Sequence, residues 1–514
     1  MATDAVAIDV EHTTAFALAE KSKLIKSLRR FDMVFFTICA FVGLDTLGLV
    51  ASNGPQGFLW LFITAVLFVA PYMLMMAEVG SAFTMEGGPY EWVKLAFGRF
   101  QGGISAILYW VTNPLWVGGS LAFITKDAWS ANVFSIGDST FGDYFFKLLF
   151  IWISIGVAIV SLRYGKWIPN FGAFARFAVL GFFSLTVIIY GFKHGVSGFS
   201  ASEWSPTRLV FFGLVPVLLF NYVGFELQNG AAEEMDNPQR DVPISVLRSG
   251  IAGVLMYVIP IFCIILVLPL KQVTGIGGFI DAVSLTFHGV YGGAAHGLLV
   301  VMTLGFALAN VTSGAVWMIG SDRIQAVASY DGSFFPFFGV FNRLFGTPVR
   351  VNVLSGLASS AFCIVAIAAF NGGQNAKFQV VLDIAISTTL ISYLWIFPAV
   401  LKLRYSHPHV HRPYVHPWGM TGLWISTVLT TGWIALGVFQ AVFPDVLEKV
   451  FGVGYNFKEG WDGVSRGTFE ALTLGTLAVI TIIGTVGYFA GKRVREQGAD
   501  VPLEEVIPPS PLEA

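Results

Sequence analysis

Four stretches of this chain, Gly57–Ala77, Val351–Ala376, Trp418–Pro444 and Ala471–Ala490, contain no charged side chain. A helix rising about 1.5 Å per residue needs about 20 apolar residues to cross the hydrocarbon core of a bilayer, and each of these runs is long enough. Composition extends the point to the whole chain. Hydrophobic residues are 55% and charged residues 12% of 514, against about 25% charged in an ordinary soluble protein. A soluble fold has too little interior for so much apolar surface, so the chain reads as an all-α, multi-pass membrane protein. The 48 Phe, 14 Trp and 56 Gly suit interfacial anchoring and close helix approach in such a bundle.

Runs bounded by charges or turn residues predict twelve transmembrane helices, with approximate cores 32–53, 57–82, 99–125, 144–162, 169–192, 207–230, 243–270, 294–320, 350–371, 378–401, 418–443 and 470–490. An even number places both termini on one side. Twenty of the 30 Lys and Arg fall in segments on that side, nine on the other, and Arg176 lies within a span. By the positive-inside rule both termini are expected in the cytoplasm of a cell-membrane protein. Residues 1–28 and 492–514 are expected to be disordered cytoplasmic tails. The polar first thirty residues are not expected to form a cleavable leader. A net charge of −2 supplies no field to recruit nucleic acid.

An internal echo marks a candidate site. Phe41-Val42-Gly43-Leu44-Asp45 in the first run and Tyr222-Val223-Gly224-Phe225-Glu226 in the sixth both read aromatic, Val, Gly, apolar, acid. Five spans separate them, the offset of a five-plus-five repeat. Glycine weakens a helix, and a mid-membrane carboxylate costs several kcal/mol unless it lines water, pairs or binds something. Breaks at both places would free N–H groups at one half-helix start and carbonyls at the other half-helix end, a pairing suited to a zwitterionic amino acid.

The sixth run continues Ala232-Glu233-Glu234-Met235-Asp236-Asn237-Pro238-Gln239-Arg240-Asp241-Val242-Pro243. Together with Phe220–Glu226 it resembles the F-x-Y-x-G-F-E…A-E-E-x-x-N-P-x-R-x-x-P signature of the amino acid–polyamine–organocation transporters. Glu78 with Glu86-Gly87-Gly88-Pro89-Tyr90-Glu91-Trp92, Arg323 with Asp331-Gly332 and Pro336, and Arg412-Pro413-Tyr414-Val415-His416-Pro417 resemble three further loops of that family. The resemblance spans roughly residues 30–490. It implies a leucine-transporter-like fold, with spans 1–5 (29–192) and 6–10 (193–402) as inverted repeats, helices 1 and 6 broken, and two peripheral helices in 403–491. It also implies a secondary active permease for amino acids or related organic amines working by alternating access, proton-coupled or by exchange, with a proton or counter-substrate as partner.

The chain departs from that pattern at its first break. Where relatives carry a G-S-G stretch, this sequence reads Gly43-Leu44-Asp45-Thr46-Leu47-Gly48. An ionised Asp45 would repel a substrate carboxylate unless neutralised, and Arg176, aligned with a lysine that replaces sodium in relatives, is expected to pair with it or to cap the first-span carbonyls. The expected substrate-binding residues are Gly43, Leu44, Asp45, Thr46, Tyr222, Gly224 and Phe225. Glu226, Asp45 and Arg176 are the expected coupling or gating groups. Asp383 is a candidate for an outer gate.

Glu233, Glu234 and Asp236 read as a solvated loop, although the resemblance suggests that they hold an inner gate. His407, His409 and His411 lie in a Pro-rich loop with no matching Cys, so no metal is expected, and no cofactor is implied. Without P-loop, GxSxG or HExxH motifs the chain lacks the chemistry of an ATP-driven pump or a hydrolase and is read as a non-enzyme. A carrier of cationic amines or polyamines, and a receptor or sensor on the same fold, remain open alternatives.

Overall fold

A computed structural model describes residues 15–24, 28–164, 167–268, 277–369, 374–461 and 463–496, and over these the chain is built from helices. The sole β pairing among the described residues is a parallel bridge between Leu28 and Met235. In chain order come α1 (Ala15–Lys21), α2 (Arg30–Phe41), α3 (Leu47–Ala51), α4 (Gly54–Ala82), α5 (Pro89–Phe97), α6 (Arg99–Asn132), α7 (Phe141–Tyr164), α8 (Trp167–His194) and α9 (Arg208–Asn221). They continue with α10 (Pro238–Val267), α11 (Gly278–Tyr291), α12 (Ala295–Tyr330), α13 (Val349–Ala369), α14 (Gln374–Ser406), α15 (Gly419–Val442) and α16 (Arg466–Ala490).

Among the described residues ten helical stretches are long and apolar enough to span a bilayer, α11 and α12 counting as one. The two missing from the expected twelve are the first and sixth. Residues 32–53 divide into α2 and α3 with Val42–Thr46 outside helix, and α9 stops at Asn221, resuming at Leu227–Glu234 as a tighter 3₁₀ turn. Both interruptions fall on the echoed motifs. Residues 278–291, expected in a loop, form α11. Within the expected N-terminal tail, α1 is ordered and Ala17 and Glu20 are buried; Lys492–Glu496 in the expected C-terminal tail is helical. Residues 1–14 and 497–514 lie outside the described residues.

The helices are apolar on both faces, as lipid requires, but not alike. On α8 the residues Phe171, Phe174, Phe177, Leu185, Ile188 and Phe192 are exposed, while Gly172, Arg176, Val179, Phe183 and Thr186 are buried. Large apolar side chains face outward, and small or polar ones face the bundle, where partners exist. The most extensive contacts join α14 to α6 and α15, α10 to α4 and α2, and α8 to α12. Helices α2, α6, α10 and α12 thereby surround the first interruption. One-residue-wider π turns at Ala65–Val69 in α4 and Val117–Leu121 in α6 rotate the following helix, a distortion often found at functional sites.

Candidate functional site

Ending α2 at Phe41 leaves its last carbonyls without helical partners, and side chains from three other helices supply donors. Ser313 Oγ donates to the Cys39 carbonyl (3.0 Å), Trp317 Nε1 to Ala40 (2.8 Å), Tyr257 Oη to Phe41 (2.9 Å) and Arg176 Nε to Val42 (3.0 Å). Arg176 is completely buried. Its remaining N–H groups donate to the carbonyls of Gly172 (2.8 Å) and Ala309 (2.6 Å), to Thr312 Oγ1 (3.2 Å) and to Ser313 Oγ. Of the two expected roles the structure therefore shows the carbonyl cap. No ion pair joins Arg176 to Asp45 among the described residues.

Asp45 turns instead toward α6. Trp116 Nε1 donates to its Oδ2 at 2.7 Å, and Ser120 Oγ donates to the same oxygen. Ser120 lies in the π turn that follows Trp116, so both donors face one carboxylate. A Cβ at Gly43 would come within 2.9 Å of Asp45 Oδ1 and displace that carboxyl, and the Gly43 N–H donates to Tyr257 Oη at 2.8 Å.

The second interruption is arranged around Glu226. Tyr109 Oη donates to Oε1 at 2.6 Å, Tyr393 Oη to Oε1 at 2.5 Å, and Tyr72 Oη to Oε2. The three phenols come from α6, α14 and α4, so one buried carboxyl group gathers a hydrogen bond from each of three helices. Tyr72 Oη also accepts from the N–H groups of Gly224 (3.1 Å) and Phe225 (3.3 Å), so it caps the broken backbone as well. Gly224 sits at φ +122°, a conformation open to glycine.

Asp45 and Gly43 line a cavity of about 20 Å³ with Trp116, Asn221, Tyr257 and Trp317, room for about one water. The amide Nδ2 of Asn221 and the hydroxyl of Thr46, both buried, have no hydrogen-bond partner among the described residues. The other expected substrate contacts, Leu44, Thr46, Tyr222, Gly224 and Phe225, do not line this cavity. Tyr222 donates to the Leu61 carbonyl at 3.1 Å and stacks on Phe41 at 5.8 Å, and Phe225 packs on Phe41 at 4.5 Å. They form an aromatic layer beside the break. Trp116, Ser120, Tyr257, Tyr72, Tyr109, Tyr393 and Asn221 are contacts at the two interruptions that the sequence did not single out. The available signal was a Tyr or Trp inside an apolar run, since a buried phenol or indole needs a partner.

At the end of the bundle carrying the N-terminal segment, ion pairs close the structure. Buried Arg323 meets Glu234 at 2.6 Å and Glu86 at 3.4 Å, Lys21 meets Glu233 at 2.8 Å, and Arg404 bonds Glu78 at 2.5 Å. Glu234, read from sequence as solvated, is thus a buried partner in a lock, because the residues that cover it come from α12 and the chain start. Burial and the negative Glu234 hold the Glu86 carboxyl well above the usual carboxylate range, with Arg323 pulling it down; burial likewise raises Glu234. Asp383 lies at the opposite end of the bundle, apart from both interruptions.

Comparison with known proteins agrees with this anatomy. The amino acid permease family model matches residues 28–457. A probable agmatine/putrescine antiporter of Lactococcus lactis is 27% identical over 386 residues, covering 75% of this chain and 81% of that protein. An uncharacterised transporter of Legionella pneumophila is 27% identical, covering 77% and 84%. Cationic amino acid transporter 1 of Arabidopsis thaliana is 26% identical, covering 74% and 63%. With the family model matched across most of its length and two interrupted helices meeting at one buried cavity, this chain belongs to the amino acid permease family.

Proposed function

We propose that this permease exchanges organic amines carrying a net positive charge, including basic amino acids, across the cytoplasmic membrane by alternating access. The observation carrying the reading is Asp45. It is a buried carboxylate on the wall of the cavity between the two interruptions, and Arg176 is committed to backbone carbonyls and hydroxyls instead of cancelling its charge. A buried acid without a cation is costly and is relieved by binding one. Because the carbonyls of α2 are already capped, a substrate ammonium has Asp45 as its acceptor, and the unpartnered Asn221 amide offers a polar contact beside it. The names of the agmatine/putrescine and cationic amino acid relatives point to the same class, and antiporter to exchange.

In this reading the chain has twelve spans in a five-plus-five inverted arrangement, the first (29–192) and second (193–402) repeats contributing one interrupted helix each, with α15 and α16 peripheral and both termini cytoplasmic. The paired interruptions and the basic loops support it. The ion-pair lock then closes the cytoplasmic end, and the 20 Å³ cavity belongs to an occluded state that must widen to admit substrate. Glu226, held by one phenol from each of three helices, is the gating acid that registers their relative positions, and Arg176 is a positioning residue.

The test is counterflow of labelled agmatine in proteoliposomes, with arginine, putrescine and neutral amino acids as competitors. Asp45→Asn should lower cationic-substrate exchange by roughly one to two orders of magnitude, the loss of one charge-assisted contact worth about 1.5–3 kcal/mol. Glu226→Gln should slow exchange while leaving substrate affinity near wild type. Competition by neutral amino acids alone, or undiminished exchange in Asp45→Asn, would overturn the reading.

A further inference from the structure

A second cavity, of about 160 Å³, lies at the end of the bundle away from the N-terminal segment. That is roughly ten times what an ordered water needs, and eight times the volume beside Asp45. Its walls come from α3, α9, α14, the end of α15 and the loop before α16. Two acids reach it, Asp383 from α14 and Glu448 from the short helix Val446–Val450 that lies between α15 and α16, and they are 7% and 1% exposed. Among the described residues Asp383 Oδ2 and Glu448 Oε2 have no hydrogen-bond partner, and neither acid is in an ion pair. The nearby cations Lys449 and Arg466 are engaged by Asp445, at 2.5 and 3.2 Å.

The rest of the lining fits an amine attached to carbon. Gln440 Nε2 donates to Glu448 Oε1 at 2.6 Å, which fixes that carboxylate, while Gln440 Oε1 is buried without a partner. Phe212 and Pro216 supply an apolar wall, and Tyr455 a phenol. Burial, with the negative Glu448 beside it, pushes the Tyr455 phenol up to about 12, so it stays neutral and adds no competing charge. Three residues lining one cavity each carry a buried, unpartnered acceptor and lack a donor with several N–H groups, and ammonium and guanidinium groups are such donors.

We propose that this cavity is a separate outer binding site for an organic cation with a primary amine or guanidinium on a short methylene chain. The acids would hold the charged head, and Phe212 and Pro216 the chain. The site rests on the reading that the permease handles organic cations. It adds that a substrate is captured in an antechamber before the cavity at Asp45 opens.

The test is the binding stoichiometry of radiolabelled agmatine on the purified full-length protein, by equilibrium dialysis, for wild type, Asp45→Asn and Asp383→Asn/Glu448→Gln. Two equivalents are expected for wild type and one for each variant, with the equivalent kept by Asp383→Asn/Glu448→Gln serving also as proof that it is folded. In that variant the concentration giving half-maximal counterflow should rise about tenfold. If wild type exchanges agmatine yet binds one equivalent, or if Asp383→Asn/Glu448→Gln keeps both, the outer site alone is wrong. If wild type neither binds nor exchanges agmatine, the site and the reading beneath it fall together.

Discussion

Arg176 directs its guanidinium at acceptors without formal charge, which makes it a structural clamp between α8, α12 and the end of α2. Its planar fork reaches acceptors in several directions at once; an ammonium has three donors and no fixed plane. Arg176→Lys should therefore leave two or more buried acceptors unmet and cost about 2–4 kcal/mol, read as a clear fall in the melting temperature of the purified protein in detergent. An unchanged melting temperature would mean that the clamp contributes nothing. The position of this residue was legible as a lone cation in a span, but its partners were not. Backbone carbonyls carry no sequence signal, and Ser313 and Thr312 are 130 or more residues away.

Among the elements, the interruptions at 42–46 and 222–226 were legible because glycine and an acid in mid-span are expensive at both places. The tyrosines around Glu226 were not, since Tyr72, Tyr109 and Tyr393 each sit in an apolar run that any span would carry, and nothing local says that the three converge. The lock of Arg323 with Glu86 and Glu234 makes a prediction at this scale. A carboxyl whose proton affinity is raised in the closed arrangement binds more protons there than in an open, solvated one. Acidification from neutral toward the ordinary carboxylate range, about pH 4.3, should then favour closure, and the advantage should level off below it. A cysteine at buried Ala231 should be alkylated more slowly at pH 5 than at pH 7.5, relative to one at exposed Phe337. Faster relative labelling at pH 5 would show that the lock opens on protonation.

Across the whole molecule, the N-terminal segment ties the closed end together. Leu28 donates to the Glu234 carbonyl at 3.0 Å and accepts from Asp236 N–H at 3.0 Å, Glu20 accepts from Phe341 N–H at 2.8 Å, and Lys21 pairs with Glu233. Deleting residues 1–28 removes these bonds, worth about 2–4 kcal/mol together, and should raise alkylation at position 231 at least tenfold while agmatine binding persists. Equal labelling would make the segment a passive cover. Composition and span counting gave the membrane class and, among the described residues, the core of each of the ten long apolar stretches, but they placed this segment in a solvated tail, because its charges look solvated until their distant partners are known. The same strap orders events during synthesis. Lys21 and Glu233 are 212 residues apart, roughly ten to forty seconds of translation, so the segment emerges first yet waits for the sixth interruption before it has anything to hold. Until then the nascent first helices stand unlatched, and closure of this end is among the last steps available to the front half of the chain.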